Sequence, residues 1–210
     1  MNDSLRALIA LCAALGARNK AALTITMDQA ASAADPRDVE EALLQSYLFV
    51  GYPVALQAIG MWRERTGNVG PEAPTDDDPS EWRKRGEAVC AQVYAGQYER
   101  LRANIARLHP DMEQWMLEEG YGKVLGRPGL DLKVRELCVI AVLVGLDTPQ
   151  QLYSHLRGAL NVGATPEEVE TTVEIACTQA TLSAKENARK VWKDLKTQRD
   201  TKENGKSAED

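Results

Sequence analysis

The sequence contains few of the residues that redox, metal and nucleic-acid sites usually need. Its 210 residues include four cysteines, two histidines and one phenylalanine. The cysteines stand at positions 12, 90, 138 and 177 and form no CxxC pair, which excludes a zinc ribbon or a local redox dithiol. Each lies among apolar residues, so we expect four buried free thiols in a reducing compartment, the cytoplasm.

The chain also lacks an excess of positive charge and a long apolar run. Its net charge is −6, and a diffuse acidic balance argues against a nucleic-acid partner or an anionic membrane surface. The apolar stretch at 5–17 is too short to span a bilayer. Asp3 opposes Arg6 where a signal peptide would be positive, so we expect a folded core helix there.

No segment shows the alternating pattern of a strand, and the chain is rich in Ala, Leu and Glu. This composition and the spacing of apolar residues predict an all-α fold. Asp35-Pro36, Thr148-Pro149 and Thr165-Pro166 each place a capping residue before a first-turn proline. The predicted helices span 3–15, 19–32, 36–65, 80–107, 110–124, 131–145, 148–162, 166–182 and 184–197.

Two distant stretches share one pattern: LRALIALCAALG at 5–16 and VRELCVIAVLVG at 134–145. Each is followed by a polar turn, a second helix and a capped proline, which indicates an internal repeat with a period of about 130 residues. The predicted organisation is a degenerate N-terminal repeat at 1–66, a linker at 67–80, a second repeat domain at 81–197 and a disordered tail at 198–210.

The two copies differ at two chemically important positions. The second has Glu136 and His155 where the first has Ala7 and either Ile25 or Thr26. A very short turn joins helices 131–145 and 148–162, so they should pack antiparallel and bring the carboxylate beside the imidazole. A buried carboxylate needs a partner. Such a pair suits general acid–base catalysis, but it could also be a purely structural contact between helices.

The region 130–169, especially GRPGLDLKVREL and SHLRGALNVGATPEEV, resembles the carboxymuconolactone decarboxylase family, which includes the alkylhydroperoxidase D-like proteins. The resemblance covers roughly 82–197 well, and 1–66 weakly through the repeat. It implies an all-helical bundle of the alkylhydroperoxidase D type and a homo-oligomer, either a trimer or a hexamer. A separate hypothesis is that the fused N-terminal copy completes a packing arrangement that single-repeat relatives reach by oligomerising, which predicts a lower subunit count than those relatives have.

The peroxidase branch of that family carries a glutamate, two cysteines and a histidine at fixed spacing. Here these four positions are occupied by Glu136, Thr148, Gln151 and His155, so both cysteines are replaced. The motif therefore resembles that of the decarboxylase branch, which uses neither a metal nor an organic cofactor. A thiol peroxidase remains as an alternative only if Cys138 pairs with another cysteine in space, and a non-catalytic oligomeric scaffold is the third alternative.

For the decarboxylase branch, the resemblance implies loss of CO2 from the dianion γ-carboxymuconolactone or a related small acid. His155 would then be the proton donor, and Glu136 would orient it. Arg127 and Arg135 are the candidates for holding carboxylates, because guanidinium groups bind them in bidentate fashion. The remaining candidates for substrate binding are Tyr121, Thr148 and Gln151. Arg157 lies about 200° around its helix from His155, so we expect it outside that pocket.

Overall fold

The computed structural model describes residues 1–67 and 78–206, with side chains described up to residue 201. Within these ranges every regular element is helical and no strand occurs, which confirms the predicted all-α fold. The helices are α1 (Asp3–Gly16), α2 (Lys20–Ala33), α3 (Pro36–Gln45), α4 (Tyr47–Val50), α5 (Tyr52–Thr66), α6 (Pro79–Tyr94), α7 (Tyr98–Leu108), α8 (Pro110–Trp115), a π-helix (Met116–Leu125), α9 (Leu132–Leu146), α10 (Pro149–Asn161), α11 (Pro166–Cys177) and α12 (Leu182–Lys206).

Two predicted long helices are each broken in the structure. The segment 36–65 divides into α3, α4 and α5, and the last break falls at Gly51, whose φ of 80° cannot continue a helix. The segment 80–107 divides at Ala95, with φ of 47°, where a short 3₁₀ turn intervenes. Apolar periodicity continues across both breaks, so the pattern alone predicted uninterrupted helices.

The ends of the second half also differ from the prediction. The predicted helix 110–124 is a short α-helix followed by the π-helix Met116–Leu125. The last helix, predicted to end at 197, continues to Lys206, so the segment predicted to be disordered is helical that far. Most of the predicted linker, 68–77, and the last residues, 207–210, lie outside the described ranges.

Helix α9 lies at the centre of the bundle. Its residues from Arg135 to Val144 are all buried, as expected for a helix that is apolar on every side. Helices α1, α10 and α11 pack around it. At the crossing with α1, a Cβ at Gly16 would overlap the carbonyl oxygen of Val142, and a Cβ at Gly145 would lie 2.8 Å from the carbonyl oxygen of Ala13. Glycine is therefore required on both helices for this close approach.

The caps predicted from the sequence are mostly present. The Asp35 side chain accepts a hydrogen bond from the amide of Arg37, and Thr165 and Glu168 form a complete capping box. Thr148 makes no side-chain cap. None of the helices in 1–67 and 78–206 is both long enough and apolar enough to cross a membrane.

Candidate active site

The α9–α10 hairpin places Glu136 and His155 side by side. The two helices are joined through Asp147, which adopts the left-handed conformation with φ of 54°. His155 Nδ1 lies 2.8 Å from Glu136 Oε2. Glu136 is fully buried and His155 is 7% exposed. The contact expected from the hairpin is therefore present, and the imidazole is the member of the pair that reaches the surface of a cavity.

Glu136 is tightly enclosed, and Gly158 makes room for it. A Cβ at Gly158 would lie 2.9 Å from Glu136 Oε2 and 2.6 Å from Val93 Cγ1. Among the described residues, no group forms a hydrogen bond with the buried Glu136 Oε1. A buried carboxylate oxygen without a partner is costly, so the pair is held at the expense of stability.

The imidazole opens onto a cavity of about 290 Å³. Phe49 contacts the His155 ring edge-on, with ring centroids 5.7 Å apart. Because Phe49 belongs to α4, the N-terminal half of the chain supplies part of the wall. The described lining consists of Leu48, Phe49, Tyr94, Met112, Trp115, Met116, Glu119, Gly120, Tyr121, Leu125 and His155.

Tyr94 and Tyr121 form a pair of phenols in the cavity wall. The Tyr121 hydroxyl donates to the Tyr94 hydroxyl at 3.3 Å, and the rings meet edge to face. Burial is the main cause that raises the pKa of each phenol, and the negative charge of Glu136 raises both further. Both groups therefore stay neutral near pH 7. The π-helix carries Tyr121, and helices of this kind are frequent at functional sites.

Arg135 does not reach the cavity, and the expectation that it holds a substrate carboxylate needs correction. Its side chain is fully buried. The guanidinium donates to Glu41 Oε2 at 2.8 Å and to Gln45 Oε1 at 3.1 Å. It also donates to the backbone carbonyls of Leu130, Arg127 and Pro128. These bonds fasten α3 and the loop before α9 to the central helix, so the donors are used within the protein.

The other predicted binding residues divide into two groups. Tyr121 lines the cavity. Arg127 forms an ion pair with Glu41 at 3.4 Å and is not part of the lining. Thr148 is the N-cap residue of α10 and Gln151 lies in its first turn, and neither is part of the lining. The Gln151 side chain is exposed, and the Thr148 hydroxyl donates to the carbonyl of Leu143 at 3.4 Å.

Arg157 lies outside the His155 cavity, as its position on the helix predicts. It lines a separate cavity of about 150 Å³ together with Arg100, and its guanidinium stacks on the Tyr153 ring at 5.9 Å. The sequence pattern did not point to Phe49, Tyr94 or Gly158. A glycine on the apolar face of α10, one turn after His155, is the one signal that was available for Gly158.

The four cysteines are buried free thiols. Cys138 lies beside Cys12. A hydrogen bond between the two thiols, together with burial, raises the pKa of Cys12. Burial, with a smaller contribution from the charge of Glu136, raises the pKa of Cys90 to about 12. Thiolates are the reactive form of cysteine, so Cys12 and Cys90 are poor nucleophiles near pH 7. No three His, Cys, Asp or Glu side chains in the described ranges converge to form a metal site.

This geometry defines a class of protein: a helical bundle with a buried carboxylate–imidazole pair facing a small cavity. The family model described as "Carboxymuconolactone decarboxylase family" matches residues 110–194. The 4-carboxymuconolactone decarboxylase of Acinetobacter baylyi is 30% identical over 118 residues, which cover 53% of this chain and 87% of that relative. The chain therefore belongs to the carboxymuconolactone decarboxylase family.

Two further relatives show how varied the similar proteins are. Peroxisomal protein 2 of Schizosaccharomyces pombe is 33% identical over 144 residues, which cover 66% of each chain. Nitrosuccinic acid decarboxylase npaB of Metarhizium robertsii is 36% identical over 61 residues, 29% of this chain and 43% of that relative. The matches thus span just under two thirds of the first of these proteins and less than half of the second.

Proposed function

We propose that this protein is a cofactor-independent acid–base enzyme of the decarboxylase type, acting on a small carboxylated molecule. The observation that carries the proposal is the Glu136–His155 pair, with 2.8 Å between Oε2 and Nδ1, at the wall of a cavity of about 290 Å³. Membership of the family and the two relatives named as decarboxylases support the same class of reaction.

The pair has a clear division of roles. An ionised carboxylate only accepts hydrogen bonds, so Glu136 holds the proton of His155 on Nδ1. No described residue forms a hydrogen bond with Nε2, which leaves that nitrogen for the substrate. Glu136 therefore acts as a positioning residue that sets the tautomer and orientation of the ring, and His155 is the proposed catalytic residue.

In the proposed reaction, the bond between the substrate carbon and its carboxylate breaks and CO2 leaves. The electron pair remains on the substrate, delocalised into a neighbouring electron-withdrawing group such as a lactone carbonyl. The protonated imidazole of His155 then donates its Nε2 proton to that carbon, and the neutral ring regains a proton from water. The neutral phenols of Tyr94 and Tyr121 lie in the same wall. The Tyr121 hydroxyl donates to Tyr94, so the Tyr94 hydroxyl is the donor that remains to stabilise the developing negative charge.

Two alternatives are less well supported. A thiol peroxidase needs a reactive thiolate, whereas all four cysteines are buried and Cys90 has a raised pKa. Cys138 does lie near Cys12, but both are free thiols. A non-catalytic scaffold would be expected to have an acid–base pair that is sealed from solvent, whereas this pair faces a cavity.

The assembly and the compartment also remain proposals. Large side chains left exposed on the described surface, including Tyr52, Leu56, Met112 and Trp115, support the expected trimer or hexamer, because apolar surface favours association. Sedimentation of the purified chain tests this. The buried thiols support a reducing compartment, and the name of Peroxisomal protein 2 raises the peroxisome as an alternative to the cytoplasm. A fluorescent fusion distinguishes the two.

The deciding experiment compares His155→Gln with His109→Gln on a panel of small carboxylic acids with an adjacent electron sink, including γ-carboxymuconolactone. We expect CO2 release to fall at least 100-fold in His155→Gln, the usual scale for loss of a general acid. His109, the only other histidine, is more than half exposed and is the matched control, so its variant should keep full activity. Full activity in a folded His155→Gln variant would refute the proposal.

A further inference from the structure

The His155 cavity contains a wall of mostly apolar side chains and very little charge. Aromatic rings, two methionines and leucines make up most of it. None of the lining residues that the structure describes is an arginine or a lysine. The cavity is at the small end of the range for ligand sites, roughly 300–1,000 Å³. It therefore accommodates a small molecule whose body is apolar or aromatic.

The charge that the cavity does carry is negative. The Glu119 carboxylate lines it, and Tyr47 donates a hydrogen bond to Glu119 Oε1 at 2.8 Å. Glu136 lies directly behind His155. Glu119 is thus a fixed negative charge in the wall, and its field disfavours every negative charge on a ligand that the imidazole of His155 does not pair with.

The arginines that could reverse this field are engaged elsewhere. Arg135 and Arg127 are both directed to Glu41. Arg100 and Arg157 line the neighbouring cavity, which shares only Tyr94 with this one. A dicarboxylate would have to lose the hydration of two charges with at most one cationic partner, the imidazolium of His155, and an unpaired buried charge is strongly unfavourable.

We propose that this pocket selects monocarboxylic acids with an apolar or aromatic body and rejects dicarboxylates. This inference rests on the proposed function, since it names the substrate class of the same site. The proposed substrate class differs from the substrates in the names of two relatives, because 4-carboxymuconolactone and nitrosuccinic acid each carry two carboxyl groups. The single carboxylate would be the group lost as CO2, and an apolar surround favours its loss because the neutral product needs no solvation.

Binding can be measured without turnover because the chain has only two histidines. Nuclear magnetic resonance of the imidazole Cε1 protons gives one signal for His155 and one for His109, and the His109→Gln variant assigns them. The probes are benzoate and terephthalate, which share a ring and differ by one carboxylate. We expect benzoate to shift the His155 signal with a Kd at least ten-fold lower than that of terephthalate.

The Glu119→Gln variant removes the negative charge from the wall and should narrow that preference several-fold. Tyr47→Phe is the matched control, because it removes the hydrogen bond to Glu119 while keeping the charge, and should leave the preference unchanged. Equal or tighter binding of terephthalate would overturn the proposal, and so would the absence of any effect of either acid on His155.

The two proposals fail in different ways. Benzoate binding at His155 with no decarboxylation of any monocarboxylic acid would support the selectivity but refute the proposed reaction. Rapid, His155-dependent decarboxylation of γ-carboxymuconolactone would support the reaction but refute the selectivity.

Discussion

Helix α1 has Ala7 where helix α9 has Glu136, and α2 has Ile25 and Thr26 where α10 has His155. In the N-terminal hairpin, Thr26 is buried and its hydroxyl bonds back to the carbonyl of Ala22 at 2.9 Å, while Ile25 is 58% exposed. That hairpin thus holds no buried charge. In the α9–α10 hairpin the same positions hold the buried carboxylate of Glu136 and the imidazole of His155, which faces a cavity.

The difference shows that the hairpin itself does not require a polar pair. The neutral hairpin packs into the same core and leaves no carboxylate oxygen without a partner. In the α9–α10 hairpin, by contrast, Glu136 Oε1 has no hydrogen-bond partner among the described residues. A feature that costs stability where a neutral alternative is available supports a functional interpretation. The N-terminal half still contributes to the site, because Leu48 and Phe49 form part of the cavity wall.

The two helices also meet reciprocally. Gly16 of α1 closes against Val142 of α9, and Gly145 of α9 closes against Ala13 of α1. In the alignment of the two stretches, Gly16 corresponds to Gly145 and Ala13 to Val142. Reciprocal contacts of this kind are what a two-fold arrangement of related copies produces. They support the repeat hypothesis, which stays a prediction, as does the division into domains.

The largest expected effect comes from breaking this crossing. We expect Gly16→Ala and Gly145→Ala each to destabilise the protein by more than about 4 kcal/mol, because the added Cβ would overlap rigid backbone of the other helix. Gly60→Ala is the matched control: its Cβ meets no atom within 4 Å, so it should stabilise helix α5 by about 1 kcal/mol. Urea unfolding measures all three. Stability unchanged in both crossing variants would show that the helices are not so closely packed.

A smaller effect separates the two arginines at equivalent positions. Arg135→Met should cost about 3 kcal/mol, because it leaves Glu41, which is only 15% exposed, without its main partner. Arg6→Met should change stability by less than about 0.5 kcal/mol, since Arg6 is exposed. Thermal unfolding of both variants gives the comparison. Equal losses in the two would contradict the structural role assigned to Arg135.

The smallest effect concerns alkaline pH. The pKa of Cys90 is raised in the folded state, to about 12, so the unfolded chain loses this proton at a lower pH than the folded one. Stability from this thiol is therefore complete below the ordinary thiol pKa and is lost as pH rises towards 12, by about 1.4 kcal/mol per pH unit for one proton. Urea unfolding between pH 8 and pH 11 should show a shallower decline in Cys90→Ala than in the wild type. Parallel declines would argue against the raised pKa.

Much of the site could be anticipated, and its limits have physical reasons. A short turn between two helices constrains which residues face each other, so the Glu136–His155 contact followed from the spacing. The partners of Arg135 did not, because Glu41 and Gln45 come from a helix 94 and 90 positions away in the sequence. An arginine looks the same in sequence whether it binds a substrate or fastens two helices together.

The helical class, most caps and the facing of α9 and α10 were determined by local sequence, because periodicity, capping and short turns act over a few residues. The tertiary structure decided what surrounds His155. Phe49, Tyr94 and Tyr121 come from three separate segments and meet only when α4, α6 and the π-helix pack around the hairpin. The charge of the cavity depends on which long-range partners take the arginines, and only the packed fold settles that competition.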